Sequence, residues 1–315
     1  MQQVVVFSGS AHPELASEVC RHLGVGLSET TIRRFSNDCL YVQLNANCRE
    51  RDVFVIQPLA PPVQEHLMEL LLMLDAARGA SAARTTAVIP YYAYARSDKK
   101  DAPRISIAAR LVADLLVTAG AKRVLTMTLH APQVHGFFGV PTDHLNALGV
   151  LAAYFRDHDL RNTVVVAPDL GHAKSVTQFA RLLNVPMAAA SKQRISDELV
   201  RVEAIVGDVD RKDVIIMDDE IATGGTIIEV LHHLRARQVG RVAIACTHGI
   251  FTGPAIDRLR AVPEIAEIVT TDTVPLPPEK RLPNLHTLSI APLFAEAIRR
   301  IHDGESVSSL FAEGA

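Results

Sequence analysis

Short apolar runs recur along the chain and alternate with stretches whose apolar residues fall three or four positions apart. In the first half the runs are Val4–Phe7, Val53–Ile56, Thr86–Ile89 and Val124–Thr128. A run of this length, closed by turn residues, reads as a strand buried on both faces. Ser8-Gly9-Ser10 closes the first of them. Between the runs, Pro13–Leu23, Gln64–Arg78 and Ile107–Ala119 carry helical spacing, with Pro13 where a first turn accepts proline. Strand and helix in alternation predict a mainly parallel sheet covered by helices, an α/β domain. The second half repeats the plan, with strands expected at Val164–Ala167, Met187–Ala190, Val214–Met217, Val242–Cys246 and Ile268–Thr271. Within Pro292–Phe311 one further helix is expected, ending near Asp303-Gly304.

The halves also echo each other in sequence. AKRVLTMTLHAPQVHGFF, from Ala121, aligns with VGRVAIACTHGIF, from Val239, setting Arg123 over Arg241 and His130 over His248. Self-similarity at a fixed offset marks repeated structural units. The length of 315 residues is ample for two domains. We expect two similar domains, 1–145 and 146–315, with the boundary near Pro141–Asn146 and the last helix packing back on the N-terminal domain.

Composition narrows the picture. A formal charge of -3, with basic residues scattered along the chain, offers no field for nucleic acid and no cationic face for a membrane. The start, MQQVVVFSG, lacks the basic and apolar regions of a secretion signal, and no apolar run approaches the ~18 residues of a membrane span. A cytoplasmic protein is expected. Cys20, Cys39, Cys48 and Cys246 show no metal-ligand spacing and suggest no disulfide framework.

Candidate chemistry concentrates in DVIIMDDEIATGGT, Asp213 to Thr226. It reads as a strand over Val214–Met217, then the acids Asp218 and Asp219, then a loop of Thr223, Gly224, Gly225 and Thr226, then a helix over Ile227–Arg235. Glycines let backbone N–H groups close on an anion, the threonines add hydroxyl donors, and the helix start contributes unpaired N–H groups. The stretch therefore suits a phosphate group. The paired carboxylates cannot hold phosphate directly; they suit sugar hydroxyls or a divalent cation. No GxxxxGK[ST] loop is present, and Gly24-Val25-Gly26 is not completed by a third glycine, so any ATP site is of another kind.

DDEIATGGT resembles the ribose-5-phosphate loop of type I phosphoribosyltransferases and, within them, of the ribose-phosphate pyrophosphokinase family. That resemblance implies a phosphoribosyltransferase-like fold. It assigns the ribose hydroxyls to Asp218 and Asp219 and the 5-phosphate to Ala222, Thr223, Gly224, Gly225 and Thr226, with Ala222 replacing an acid common in the family. RFSNDCLYVQL is similar to the adenine-binding segment and implies nucleotide contacts from Phe35, Asn37, Asp38 and Cys39. Here Asp38 stands for the family's glycine and Cys39 for its glutamate. PYYAYARSDKK is similar to the flexible ATP loop and brings in Arg96, Ser97, Asp98 and Lys99, with Ser97 in place of glutamine. Arg96 suits phosphate because its planar fork matches phosphate oxygens, and Lys99 and Lys100 add positive charge.

By the same resemblance His130 and Asp169, the latter in Ala167-Pro168-Asp169-Leu170-Gly171, hold the Mg2+ of MgATP. His172 departs from the second glycine of that pattern. Ser191-Lys192-Gln193-Arg194 resembles the catalytic loop, with Lys192 and Arg194 at the cationic positions and Gln193 departing from them. Arg49, Ser306, Ser308 and Phe311 resemble a regulatory phosphate pocket at a subunit interface. The implied reaction passes pyrophosphate as a unit from MgATP to the 1-hydroxyl of ribose 5-phosphate, within a dimer-based hexamer. Two other readings share these motifs: a nucleobase phosphoribosyltransferase, which consumes that product, and a regulatory homologue silenced at Cys39, Ser97, His172, Gln193 and Ala222.

Overall fold

The computed structural model describes residues 4–194 and 200–312. Chain contacts divide it into two units. One runs to Leu145 and takes in Thr273–Pro275 and Ile290–Phe311; the other covers Asn146–Asp272 and Leu276–Ser289.

The first unit is built from β1 (Val4–Ser8), α1 (Pro13–Leu23), β2 (Leu27–Ser28), β3 (Thr30–Arg34), β4 (Leu40–Leu44), β5 (Asp52–Ile56), α2 (Val63–Gly79), β6 (Arg84–Ile89), α3 (Ala108–Ala119), β7 (Arg123–Met127) and β8 (Thr142–Leu145). Its sheet has the order β2-β1-β5-β6-β7-β8, and every neighbouring pair is parallel. The apolar runs that predicted strands fill its middle: Val53, Val55 and Val124 pack with Leu70 and Leu74 of α2 and with Val112 and Leu116 of α3. β3 and β4 stand apart as an antiparallel ribbon.

The second unit contains α4 (Leu148–Phe155), β9 (Thr163–Ala167), α5 (Ala173–Leu183), β10 (Met187–Arg194), β11 (Val200–Val206), β12 (Asp213–Ile221), α6 (Gly225–Arg235), β13 (Val242–Gly249), α7 (Ala255–Arg260), β14 (Ile265–Thr271) and β15 (Leu285–Leu288). The sheet order is β11-β10-β9-β12-β13-β14-β15, parallel except for the β10–β11 edge pair. Val164, Ile216, Ile244 and Ile268 line its core against Val230 and Leu234 of α6. The two sheets share a run of four parallel strands, β5-β6-β7-β8 and β9-β12-β13-β14. The echoed segments occupy the third place in each run. Arg123 opens β7 and pairs with Asp143 of β8 at 2.5 Å, while Arg241, just before β13, pairs with Glu267 of β14 at 2.9 Å.

Two local expectations change. The acids do not follow the end of a strand at Met217: β12 continues through them to Ile221, with Asp218 opposite Cys246 and Ile221 opposite Gly249. Ser191–Arg194, read as a loop, extends β10 in an antiparallel ribbon with β11, bulged between Ser191 and Lys192.

The chain finishes with α8 (Ala291–Asp303) and α9 (Ser308–Ala312), and α8 packs on α1 within the first unit. Its seal is a buried carboxylate. Asp52, at the start of β5, is held by Arg84 through two hydrogen bonds and by His302 of α8 at 2.9 Å, and Arg84 also donates to the Ile301 carbonyl at 2.9 Å. Removing a buried charge's partner strands the remaining charges. Asp52→Ala should therefore cost about 3 kcal/mol of stability, measured by urea unfolding, whereas breaking an exposed pair such as Arg161–Asp159 should leave the unfolding curve essentially unchanged.

Candidate active site

The strand register creates the site in the second unit. β9 pairs with β12 only as far as Ile216, while β13 follows β12 on to Ile221. Asp218 and Asp219 therefore lie beyond the end of β9, where an α/β sheet opens to ligands. Asp169, two residues past the end of β9, reaches the same place. Its carboxylate accepts from the His172 backbone N–H at 3.0 Å, capping the turn that leads into α5.

One imidazole ties these acids together. His172 Nδ1 lies 3.1 Å from Asp169 Oδ1 and 3.9 Å from Asp218 Oδ1, and its Nε2 lies 3.2 Å from Asp219 Oδ1. Burial opposes charge on this ring, but hydrogen bonds to Asp169 and Asp219 and the charges of Asp219 and Asp218 outweigh it, raising the pKa to about 11. Burial and then the Asp219 charge push the Asp218 carboxyl well above the usual carboxylate range, against the pull of His172. The three oxygen-bearing side chains suit a hard divalent cation or sugar hydroxyls. Cys246, paired with Asp218 across the sheet, is no nucleophile, because burial pushes its thiol up to about 12.

The glycine loop follows directly. Gly224 takes φ +72°, the left-handed backbone that glycine accepts without strain, and from there α6 begins at Gly225. The three carbonyls that lead into it are all engaged by the segment after β13. Ile250 and Phe251 donate to Ile221 at 3.1 and 3.0 Å, Thr252 donates to Ala222 at 2.9 Å, and Arg258 Nη1 donates to Thr223 at 3.0 Å. With the acceptors engaged on that side, the first N–H groups of α6, which no helix satisfies internally, face the loop as anion donors. Behind the loop Gly249 is fixed by space: an added Cβ would lie 2.5 Å from Phe251 and 2.7 Å from Thr270.

The other expected residues fall as follows. Phe35, Asn37, Asp38 and Cys39 form the turn of the β3–β4 ribbon, closed by Phe35 N–H to the Cys39 carbonyl at 2.9 Å. Phe35 is 54% exposed and meets Tyr41 edge-on, ring centroids 5.7 Å apart. Asn37 accepts from Cys39 N–H at 3.2 Å. Asp38 adopts φ +72° at the position where the family pattern has glycine, and Arg34 holds its carboxylate at 2.5 Å. Arg96 ends a short 3-10 turn, Ser97 is half-buried and donates its N–H to Tyr94 at 2.9 Å, and Asp98 accepts from Gln133. Lys99 is exposed beside them. His130 follows β7 in the first unit. Lys192 and Arg194 lie on the β10 backbone, but their side chains fall outside the described residues, as does that of Phe311. Arg49 bridges to Ala82, whereas Ser306 and Ser308 belong to a turn held by Arg300, whose Nη1 donates to the Ser306 carbonyl at 3.0 Å. These are separate local networks.

Sequence reasoning noted His172 only as a departure from glycine and did not notice Arg258. Nothing in the spacing of α7 signals that Arg258 will reach the glycine loop, where it lies 3.6 Å from the Cβ position of Gly225. A cation at that distance favours a bound anion as well as bracing the loop. Arg258→Ala should weaken inorganic phosphate binding about five- to tenfold by calorimetry, the scale of one partly exposed charge-assisted contact.

The His172 shift predicts a pH dependence. A group whose pKa rises on folding stabilises the native state most at low pH and loses that contribution as pH climbs. Moving from 6.5 to about 11, His172 contributes fully below pH 6.5, progressively less above it, and nothing once pH passes 11. His172→Ala should flatten this part of the pH–stability curve, read by urea unfolding of metal-free protein at a series of pH values.

Comparison with known proteins agrees over almost the full length. Residues 4–120 match the family described as the N-terminal domain of ribose phosphate pyrophosphokinase, and residues 199–312 match the phosphoribosyl synthetase-associated domain. A Streptomyces coelicolor protein is 61% identical over 99% of this chain and 98% of its own. Ribose-phosphate pyrophosphokinase of Deinococcus radiodurans is 51% identical over 98% of both chains. The crystal structure of phosphoribosylpyrophosphate synthetase from Mycobacterium smegmatis superposes with a TM-score of 0.89 at 42% identity, covering 96% of this chain and 100% of that one.

Proposed function

The chain belongs to the ribose-phosphate pyrophosphokinase family, and from that premise we propose how it works: the 1-hydroxyl of ribose 5-phosphate attacks the β-phosphorus of MgATP, giving 5-phosphoribosyl 1-pyrophosphate and AMP. The oxygen bridging the α- and β-phosphorus atoms leaves with AMP, and the hydroxyl proton is lost to solvent or base. The observation that carries this reading is the glycine loop, whose engaged carbonyls and left-handed Gly224 suit the first turn of α6 to a phosphate group.

Thr223, Gly224, Gly225 and Thr226, with Ala222 at their lead, would grip the 5-phosphate. Asp218 and Asp219 would accept hydrogen bonds from the ribose hydroxyls, fixing the sugar so that its 1-hydroxyl is presented. Phe35 would cover the adenine while Asn37, Asp38 and Cys39 frame its edge, and Arg96 with Ser97, Asp98 and Lys99 would hold the polyphosphate. Orientation of this kind supplies much of the rate in phosphoryl transfer. Lys192 and Arg194 would neutralise charge that grows on the transferring group.

For the metal, the carboxylates of Asp169, Asp218 and Asp219 around one ring form an oxygen-rich donor set, which fits Mg2+. Asp169 would be a ligand, and His130 keeps the ligand role that the family pattern gives it. When bound, Mg2+ offsets the charge of the triphosphate. Arg49, Ser306, Ser308 and Phe311 retain the regulatory assignment, and we place the protein in the cytoplasm as a dimer-based hexamer, in keeping with the resemblance. Among the described residues no helix is long and apolar enough to cross a membrane.

Incubation with ATP, Mg2+ and ribose 5-phosphate should yield AMP and 5-phosphoribosyl 1-pyrophosphate in equal amounts. A nucleobase phosphoribosyltransferase would consume the second compound, and a silent homologue would form neither. Lys192→Ala should lower kcat about 100-fold or more while ribose 5-phosphate binding, followed by calorimetry, is retained. Unchanged turnover would remove Lys192 from the mechanism.

A further inference from the structure

His172 does more than fill a turn. A capping role needs only the Asp169 side of the ring: the carboxylate accepts the His172 backbone N–H at 3.0 Å, and ring Nδ1 lies at 3.1 Å. The opposite nitrogen faces another element, with Nε2 3.2 Å from Asp219 Oδ1 on β12. Both ring nitrogens therefore meet carboxylate oxygens, and the ring spans the gap between Asp169 and Asp219. Those are the oxygens a divalent cation would use, and Mg2+ requires them at about 2.0–2.1 Å with near-octahedral order. A ring standing 3.1 Å from one of these oxygens and 3.2 Å from the other occupies the space that arrangement needs. Without a side chain at position 172 the gap would stand open.

We infer that His172 is a built-in competitor for the cation: in the ligand-free chain its imidazole takes the cation's place among Asp169, Asp218 and Asp219, and it must swing away before a divalent ion can bind there. The inference rests on the reading of these carboxylates as a cation site. It gives the residue a definite consequence. Binding of the ion is weakened by the contacts that the ring gives up. His172 acts on the cation through Asp169 and Asp219, so it is a positioning residue.

The test is direct binding of Mn2+, a spectroscopic substitute for Mg2+, followed by the electron paramagnetic resonance of the free ion at fixed neutral pH without substrates. His172→Gly should bind Mn2+ about tenfold more tightly than the native chain, the scale on which groups touching metal ligands tune affinity. His172→Gln, neutral but still able to donate one hydrogen bond, should fall between them. Adding Asp169→Asn to His172→Gly should cancel the gain, locating the ion at this cluster. Damage to the fold would loosen binding, so a tightening cannot come from it. Thermal unfolding supplies the second measurement: Mn2+ should raise the Tm of His172→Gly by more than that of the native chain.

Equal Mn2+ affinity in the native chain and His172→Gly would overturn the inference while leaving the proposed reaction intact. A gain that survives Asp169→Asn would overturn it too, by putting the ion elsewhere. If neither protein bound Mn2+, the cluster would not be a cation site, and the inference would fall along with that part of the functional reading. Production of AMP and 5-phosphoribosyl 1-pyrophosphate is scored separately, so failure of the reaction and failure of the competition are distinguishable.

Discussion

Beyond Ile216, β12 has a hydrogen-bonded neighbour on one side only. The site in the second unit depends on this inequality. Had β9 run as far as β12, the edge of Asp218 and Asp219 would be closed by another strand, and two acids there would be buried without compensation, at a cost no small domain sustains. Because β9 stops, the space at its end is taken by its own continuation, which brings Asp169 and His172 to the same acids. Crowding carboxylates makes their environment demand positive charge, which the raised His172 pKa expresses; the Asp218 carboxyl is raised by burial first and by the Asp219 charge second. The glycine loop then begins where the pairing with β13 ends, its leading carbonyls held by Ile250, Phe251, Thr252 and Arg258.

The buried strands were legible because a parallel strand covered on both faces has nothing to alternate. Val53 to Ile56 and Val164 to Ala167 are apolar at every position and wholly buried. The edges were not. In β8 only Leu145 of Thr142–Leu145 is buried, so its sequence carries no strand signal, and it fell at the expected domain boundary. β2 has two residues, and β15 presents none that is buried. Helix α4, apolar nearly throughout, shows no periodicity to read. Helix α5 is a different matter: Val176, Phe179, Ala180 and Leu183 form a plain apolar stripe that the sequence displayed and the reading passed over.

Legibility of the site followed contiguity. Asp218 to Thr226 is one unbroken stretch in which each residue's chemistry points to its neighbour's, so a strand, two acids and a glycine loop leading into a helix were legible from the sequence. Only the strand's length was misjudged, because acids seemed out of place in a sheet; pairing with β13 holds them there. Contacts that join distant segments leave no such trace. Arg258 meets Thr223 from another helix, and the far nitrogen of His172 meets Asp219 from another strand. Asp38 is intermediate. Its place in the pattern marks a turn, and aspartate is among the few residues that tolerate a left-handed backbone, so the turn survives the loss of glycine with Arg34 bound to the new carboxylate.

The echo between the halves separates scaffold from site. Arg123 with Asp143 and Arg241 with Glu267 are the same device, an arginine at the start of the third strand bound to an acid on the fourth. Both copies sit where strands begin, and there the units agree. Where strands end they part company: β12 carries two acids near its end and leads into a glycine loop, while its counterpart β6 leads into Tyr91, Tyr92 and the 3-10 turn at Arg96. Pairing and packing at one end of a sheet fix the fold, and the other end is left to vary in what it binds. A side chain at the ligand end, such as that of His172, is therefore free to vary without touching what holds the sheet together.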